Sequence, residues 1–101
     1  MADGNPLLRE VTSRLHGTIE LTVVTVGTSE LPLPATPLKG RKYVIIQNKT
    51  GGSLFIGPSD VTSATGIELT SGAIERIELG RAELYGIRAS GSGDVHVLEF
   101  A

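Results

Sequence analysis

Cysteine is absent from the 101-residue chain, and so is tryptophan. Without thiols there is no disulfide, no thiolate metal site and no cysteine nucleophile. Aromatic residues make up 4%, two Tyr and two Phe. That is too few for the stacking platforms on which single strands and sugars usually rest. Neither sign of charge dominates. Nine Lys+Arg stand against eleven Asp+Glu, a formal net charge of −2, so nucleic acid is not expected as a partner. No apolar run approaches the ~20 residues that cross a bilayer as a helix, and no membrane partner is expected. No basic-then-apolar secretory signal opens the chain.

What is present points to strands. Val, Ile and Thr together supply 26 residues, alongside 13 Gly and 5 Pro. β-Branched side chains favour a pleated backbone because their χ1 is already restricted, while frequent Gly and Pro mark turns. At 40% apolar and 20% charged, the composition is that of one globular domain rather than a disordered chain. The expected fold class is all-β, an antiparallel β-sandwich of about seven to eight strands with an N-terminal arm.

The strand signals run from Thr18 onward. Thr18–Val26 (TIELTVVTV) is closed by Gly27, and the proline-rich Leu31–Pro37 reads as an extended edge or crossing loop. Arg41–Asn48 (RKYVIIQN) is the most apolar segment, which places it centrally with Val44, Ile45 and Ile46 buried. Lys49–Gly52 reads as a hairpin turn pairing that strand with Ser53–Gly57. After the polar loop Pro58–Gly66 come Ile67–Leu69, Ala73–Leu79, Glu83–Ala89 and Asp94–Phe100. The expected core is Val44, Ile46, Leu54, Ile56, Ile77, Leu84, Ile87 and Val97. Alternation leaves one face of each strand mostly apolar, but the other is not cleanly polar. The surplus apolar side chains, on a domain with a small core, point to oligomerisation.

Catalysis finds little footing. The two histidines, His16 and His96, lie in the arm and within a strand, and neither has a third ligand at metal spacing. His96 reads as a half-buried or interface strand residue. Glu75, Glu78 and Glu83 read as a solvated face or ion-pair partners. Thr50–Ser53 and Ser90–Gly93 are turns rather than phosphate loops, since neither ends in Lys-Ser/Thr or opens a helix. Ser59, Thr62 and Ser63 lack a His-plus-acid context. Asp60 alone offers too few carboxylate oxygens for tight calcium binding. It is expected instead to cap the backbone N–H of Thr62 or Ser63. Gly66 and Gly72 are candidates for positive φ. No catalytic residue, cofactor or metal site is expected.

The stretch from Arg41 to Phe100, about 60 of the 101 residues, carries a recognisable order of motifs. A basic Arg41 precedes the Val44-Ile45-Ile46-Gln47-Asn48 strand, and Leu54–Gly57 follows. Then come Asp60-Val61-Thr62, Gly66–Leu69, a Ser71-Gly72 turn, Leu84–Ile87 and the closing Asp94–Glu99. In this it resembles a recurrent small β-sandwich unit of tailed-bacteriophage virion proteins. The resemblance implies a structural role in the virion. The leading expectation is a capsid decoration or cement protein that binds the outer head surface through the major capsid protein and stabilises the shell. The alternatives are a tail, baseplate or head–tail adaptor component, or a host-surface glycan-binding module. A homo-oligomer is expected, with a trimer as first guess from the resemblance.

Residues 1–17 form the arm and 18–101 the sandwich. Leu7, Leu8, Val11 and Leu15 fall at i, i+1, i+4 and i+8, a short helical stripe. The arm is read as partly extended or helical, with a disordered tail as the plain alternative. These four residues, which a sandwich closed by Thr18–Phe100 does not need, are expected partner contacts on a capsid or a neighbouring subunit. Asp60 and Tyr85 are expected to contribute contacts from the sandwich itself.

Overall fold

The computed structural model describes residues 17–101 and is all-β, with eight strands in two antiparallel sheets. The strands are β1 (Ile19–Val26), β2 (Leu31–Pro32), β3 (Tyr43–Lys49), β4 (Leu54–Gly57), β5 (Ile67–Leu69), β6 (Ile74–Ile77), β7 (Tyr85–Ile87) and β8 (Gly93–Phe100). One sheet has the order β1-β8-β3-β6 and contains the three longest strands; it is called here the long sheet. The short sheet has the order β2-β7-β4-β5. The expectations for the arm at residues 1–16, including Leu7, Leu8, Val11 and Leu15, lie outside the described residues.

The core lies between the sheets and follows the period-2 alternation of each strand. Val26 from β1, Val44 and Ile46 from β3, and Val95 and Val97 from β8 face Leu54 and Ile56 from β4 and Leu69 from β5. Leu33, just past β2, and Leu84, just before β7, close the layer. Seven of the eight expected core residues are buried; Ile77, on the edge strand β6, is only half-buried although it packs against the core. Ile45 lies between two buried neighbours but faces away from the core and is half-buried. The run Val44-Ile45-Ile46 therefore marks a central strand with one covered face, not two.

The connectivity departs from a chain of hairpins. β3 and β4 were expected to pair across Lys49–Gly52, yet they belong to different sheets. Asn48 explains the redirection. Its side-chain Nδ2 donates to the carbonyls of Gly52 (2.8 Å), Leu69 (2.8 Å) and Thr70 (3.0 Å). Its Oδ1 accepts from the backbone N–H and hydroxyl of Thr50. One buried amide thus bends the chain out of the long sheet and holds it against the end of β5 in the short one. Of the consecutive strand pairs, only β4 and β5 are hydrogen-bonded neighbours; every other connection crosses between sheets.

The turn at Ser71-Gly72 uses a positive φ of 82° at Gly72, as expected. Gly66 has no positive φ; its constraint is space. A Cβ there would lie 2.8 Å from both Phe55 Cβ and Val61 Cγ2, so the loop can close over Val61 only without a side chain.

Because Ile46 is fully buried at the centre of β3, Ile46→Ala is expected to lower unfolding free energy by about 2–4 kcal/mol. Chemical denaturation with an unchanged slope would register this; an unchanged midpoint would contradict the central placement.

Candidate interaction surface

The outward face of the long sheet is built by the residues that alternate with the core. The register gives four rows across the sheet: Ile19–Phe100–Tyr43, Leu21–Leu98–Ile45–Arg76, Val23–His96–Gln47–Ile74 and Thr25–Asp94–Lys49. The first two rows are mostly apolar, and the third has apolar Val23 and Ile74 at its ends with His96 and Gln47 between them. Ile19, Leu21, Val23 and Ile74 are 60%, 61%, 50% and 61% exposed. A water-facing sheet surface normally shows polar side chains here, so this face has the composition of a second core without a covering layer.

The first row is stiff. The rings of Tyr43 and Phe100 stack with centroids 4.4 Å apart, and the Arg76 guanidinium lies 4.1 Å above the Tyr43 ring. Arg76 also pairs with Glu78 at 3.3 Å, in an exposed position where such a pair contributes little. Tyr, Phe and Arg held in fixed rotamers are the side chains that anchor interfaces. The polar row at the far end is also tied down, with the Thr25 hydroxyl donating to Asp94 at 2.8 Å. His96 sits half-buried at the middle of the face, the kind of strand position expected for it.

The sequence-derived contact residues lie elsewhere. Asp60 is exposed in the loop after β4, and Tyr85 opens β7 opposite Gly57. Both belong to the short sheet. Among the described residues no hydrogen bond joins Asp60 to Thr62 or Ser63; Thr62 and Thr65 cap the loop instead, with the Thr65 hydroxyl accepting from the Thr62 N–H at 3.0 Å. A hydroxyl three residues further on takes that N–H, and Asp60 stays exposed. Tyr85 donates its phenol to Glu83 at 2.9 Å. That bond raises the phenol above its ordinary value, helped by slight desolvation and by the charges of Glu83 and Glu30.

A buried ion pair supports the face from behind. Arg41 Nη1 lies 3.0 Å from Glu99 Oε2, with both side chains almost wholly buried. The rest of the guanidinium donates to the carbonyls of Gly80 and Ala82. Glu99 Oε2 also accepts from the Leu38 N–H at 2.8 Å, while its Oε1 has no hydrogen-bond partner among the described residues. Glu99 lies between Leu98 and Phe100, so locking it inward fixes the outward pose of both. Glu75 and Glu78, on or next to β6, are exposed as expected of a solvated face. No group of three metal-binding side chains occurs among the described residues.

The signal for the outer face was present in the sequence as apolar residues on both parities of β1, β3 and β8. Its assembly into one surface was not, since it requires β1 and β3 to flank β8 across more than 40 residues of chain. No protein family, curated protein or solved structure matches the chain.

Two outcomes follow from these contacts. Arg41→Met strands the Glu99 carboxylate without its partner and should cost about 3–5 kcal/mol, whereas Arg41→Met with Glu99→Leu should recover most of the loss; thermal unfolding of the three proteins tests this. In a Tyr43→Phe background, ultraviolet titration should show Tyr85 ionising above the usual tyrosine range. Glu83→Gln should bring it back down, since the carboxylate is the chief cause of the shift.

Proposed function

We propose that this protein is a passive structural subunit of a tailed-bacteriophage virion, a decoration protein that docks on the outer surface of the head. The observation that carries the reading is the outer face of the long sheet: apolar over its first two rows apart from Arg76, apolar again at both ends of the third, and backed by a buried ion pair. Such a face suits a broad, flat contact with another protein. Two buried polar groups are engaged in holding the frame. Asn48 joins the end of β3 to two turns, and Glu99 holds Arg41 and the loop at Leu38.

The resemblance of Arg41–Phe100 to virion β-sandwich units supports the setting, and its motif residues are those that build this frame. Arg41 and Glu99 form the buried pair, Asn48 redirects the chain, and Gly66 and Gly72 close turns. Assembly by many modest contacts repeated by shell symmetry accounts for a docking face without a deep pocket. The major capsid protein is the partner this reading names, with further copies of the chain as neighbours. The apolar residues of the arm, Leu7, Leu8, Val11 and Leu15, supply a second contact in the same reading.

Purified particles carrying the protein should hold it on the head at on the order of hundreds of copies, as symmetry-repeated shell sites require. A count of about a dozen, located at the neck or tail by electron microscopy, would replace decoration with an adaptor role. Ile74→Glu places a charge on the outer face far from β1. It should leave the fold intact and abolish co-sedimentation with undecorated heads.

A further inference from the structure

β1 is an eight-residue strand at the edge of the long sheet, and among the described residues it is paired on one side only, to β8. Which backbone groups remain free follows from one reciprocal pair. Thr18 N–H donates to Ala101 at 2.9 Å and Ala101 N–H donates back to Thr18 at 2.8 Å. In an antiparallel ladder the inward and outward groups alternate. Thr18, Glu20, Thr22, Val24 and Val26 therefore bond to β8. The N–H and C=O groups of Ile19, Leu21, Val23 and Thr25 point out of the edge. These same residues place their side chains on the outer face, three of them apolar and half or more exposed.

Natural edges are usually guarded against another strand by Lys, Pro, a bulge or shortness. β1 has no Lys, Pro or bulge and is eight residues long; its one guard is the charge of Glu20, on the inward parity near its N-terminal end and on the opposite face from the apolar row. Resting on the homo-oligomeric part of the reading above, we propose that β1 pairs antiparallel with β1 of a second copy about a two-fold axis at Leu21. A two-fold perpendicular to the sheet keeps each face on its own side, so residues of equal parity must meet. Centring on Leu21 sets Leu21 against Leu21 of the partner subunit, and Ile19 against Val23 of the partner subunit at both ends.

Charge and hydrogen bonding choose this register over its neighbours. One step toward the N-terminus would set the two Glu20 carboxylates opposite each other. One step toward the C-terminus would leave Ile19 facing a threonine. In the Leu21 register Glu20 meets Thr22 of the partner subunit, so like charges stay apart. Each of the three outward pairs exchanges two bonds, giving about six new backbone hydrogen bonds. The product is one continuous eight-stranded sheet. Its outer apolar surface is unbroken across the axis, twice the docking face of a single copy. This assigns a pair where the resemblance leads to a trimer.

The absence of cysteine makes the register testable in the full chain. Opposed residues at a hydrogen-bonded position lie with Cα atoms about 5.5 Å apart, within disulfide reach. Leu21→Cys should oxidise to a covalent dimer. Thr25→Cys, on the same strand and face, would sit about 26 Å from its counterpart at ~3.3 Å per residue and should remain monomeric. Equal linking by both variants would mean random collision and overturn the proposal. Linking by neither would overturn it as well, the edge being held otherwise, for example by residues 1–16 of the same chain.

Without any crosslink, sedimentation of the native chain should show a monomer–dimer equilibrium. Val23→Lys should weaken it about tenfold or more with an unchanged circular dichroism spectrum. Equal association of Val23→Lys and the native chain would refute the pairing. All of these measurements use isolated protein, so their failure leaves the docking of the outer face on heads to be decided by its own experiment.

Discussion

The buried pair between Arg41 and Glu99 is the constraint around which the rest of the structure is arranged. It joins the segment entering β3 to the last strand, and its guanidinium reaches the loop carrying Gly80 and Ala82. These parts are distant in the chain; β3 and β8 are joined by their ladder and the Gly80 N–H donates to Lys42, and the ion pair adds a side-chain tie across all three. A charge this deeply buried is tolerated only when its hydrogen bonds are met, and Glu99 Oε1 remains without one among the described residues. The arrangement therefore contributes less to net stability than to uniqueness. Any alternative register of β8 would bury one of the two charges alone.

Asn48 works in the same way at the other end of the sandwich. Its amide serves the turn after β3, the end of β5 and the turn before β6. Between them, these two polar devices hold four of the six connections that cross between sheets, those between β2 and β3, β3 and β4, β5 and β6, and β6 and β7. The apolar core could be satisfied by several pairings, because Val, Ile and Leu are interchangeable in a pleated layer. Directional groups remove that freedom. The cost is a fold in which most contacts are long-range, and hence slow to assemble relative to a hairpin stack.

With the inner faces so constrained, the outer face of the long sheet is free to be apolar. Its side chains make cross-strand contacts such as the Tyr43–Phe100 stack, yet Ile19, Leu21, Val23 and Ile74 stand in water. A surface of that kind is a liability for an isolated subunit and an asset for one built into an assembly. The β1 edge, paired on one side only among the described residues, and the outer face share the same residues. The proposed pairing along the edge leaves the face uncovered and is therefore compatible with the proposed docking.

The all-β class, the positions of the strands and most of the core are legible in the chain alone, because period-2 alternation and turn residues are local signals. So is the surplus of apolar residues. Where those residues meet is a matter of tertiary pairing. The local pattern of Lys49–Gly52 is that of a hairpin, and nothing near it in the chain reveals that Asn48 will bond to Leu69 and Thr70 instead. Likewise Ile19, Ile45 and Leu98 become one surface only when β8 is inserted between β1 and β3. Asp60 and Tyr85 drew attention as single residues, yet the broader surface belongs to the opposite sheet. A strand's own alternation says which residues share a face; which strands lie side by side is set by hydrogen bonds and burial between segments far apart in the chain.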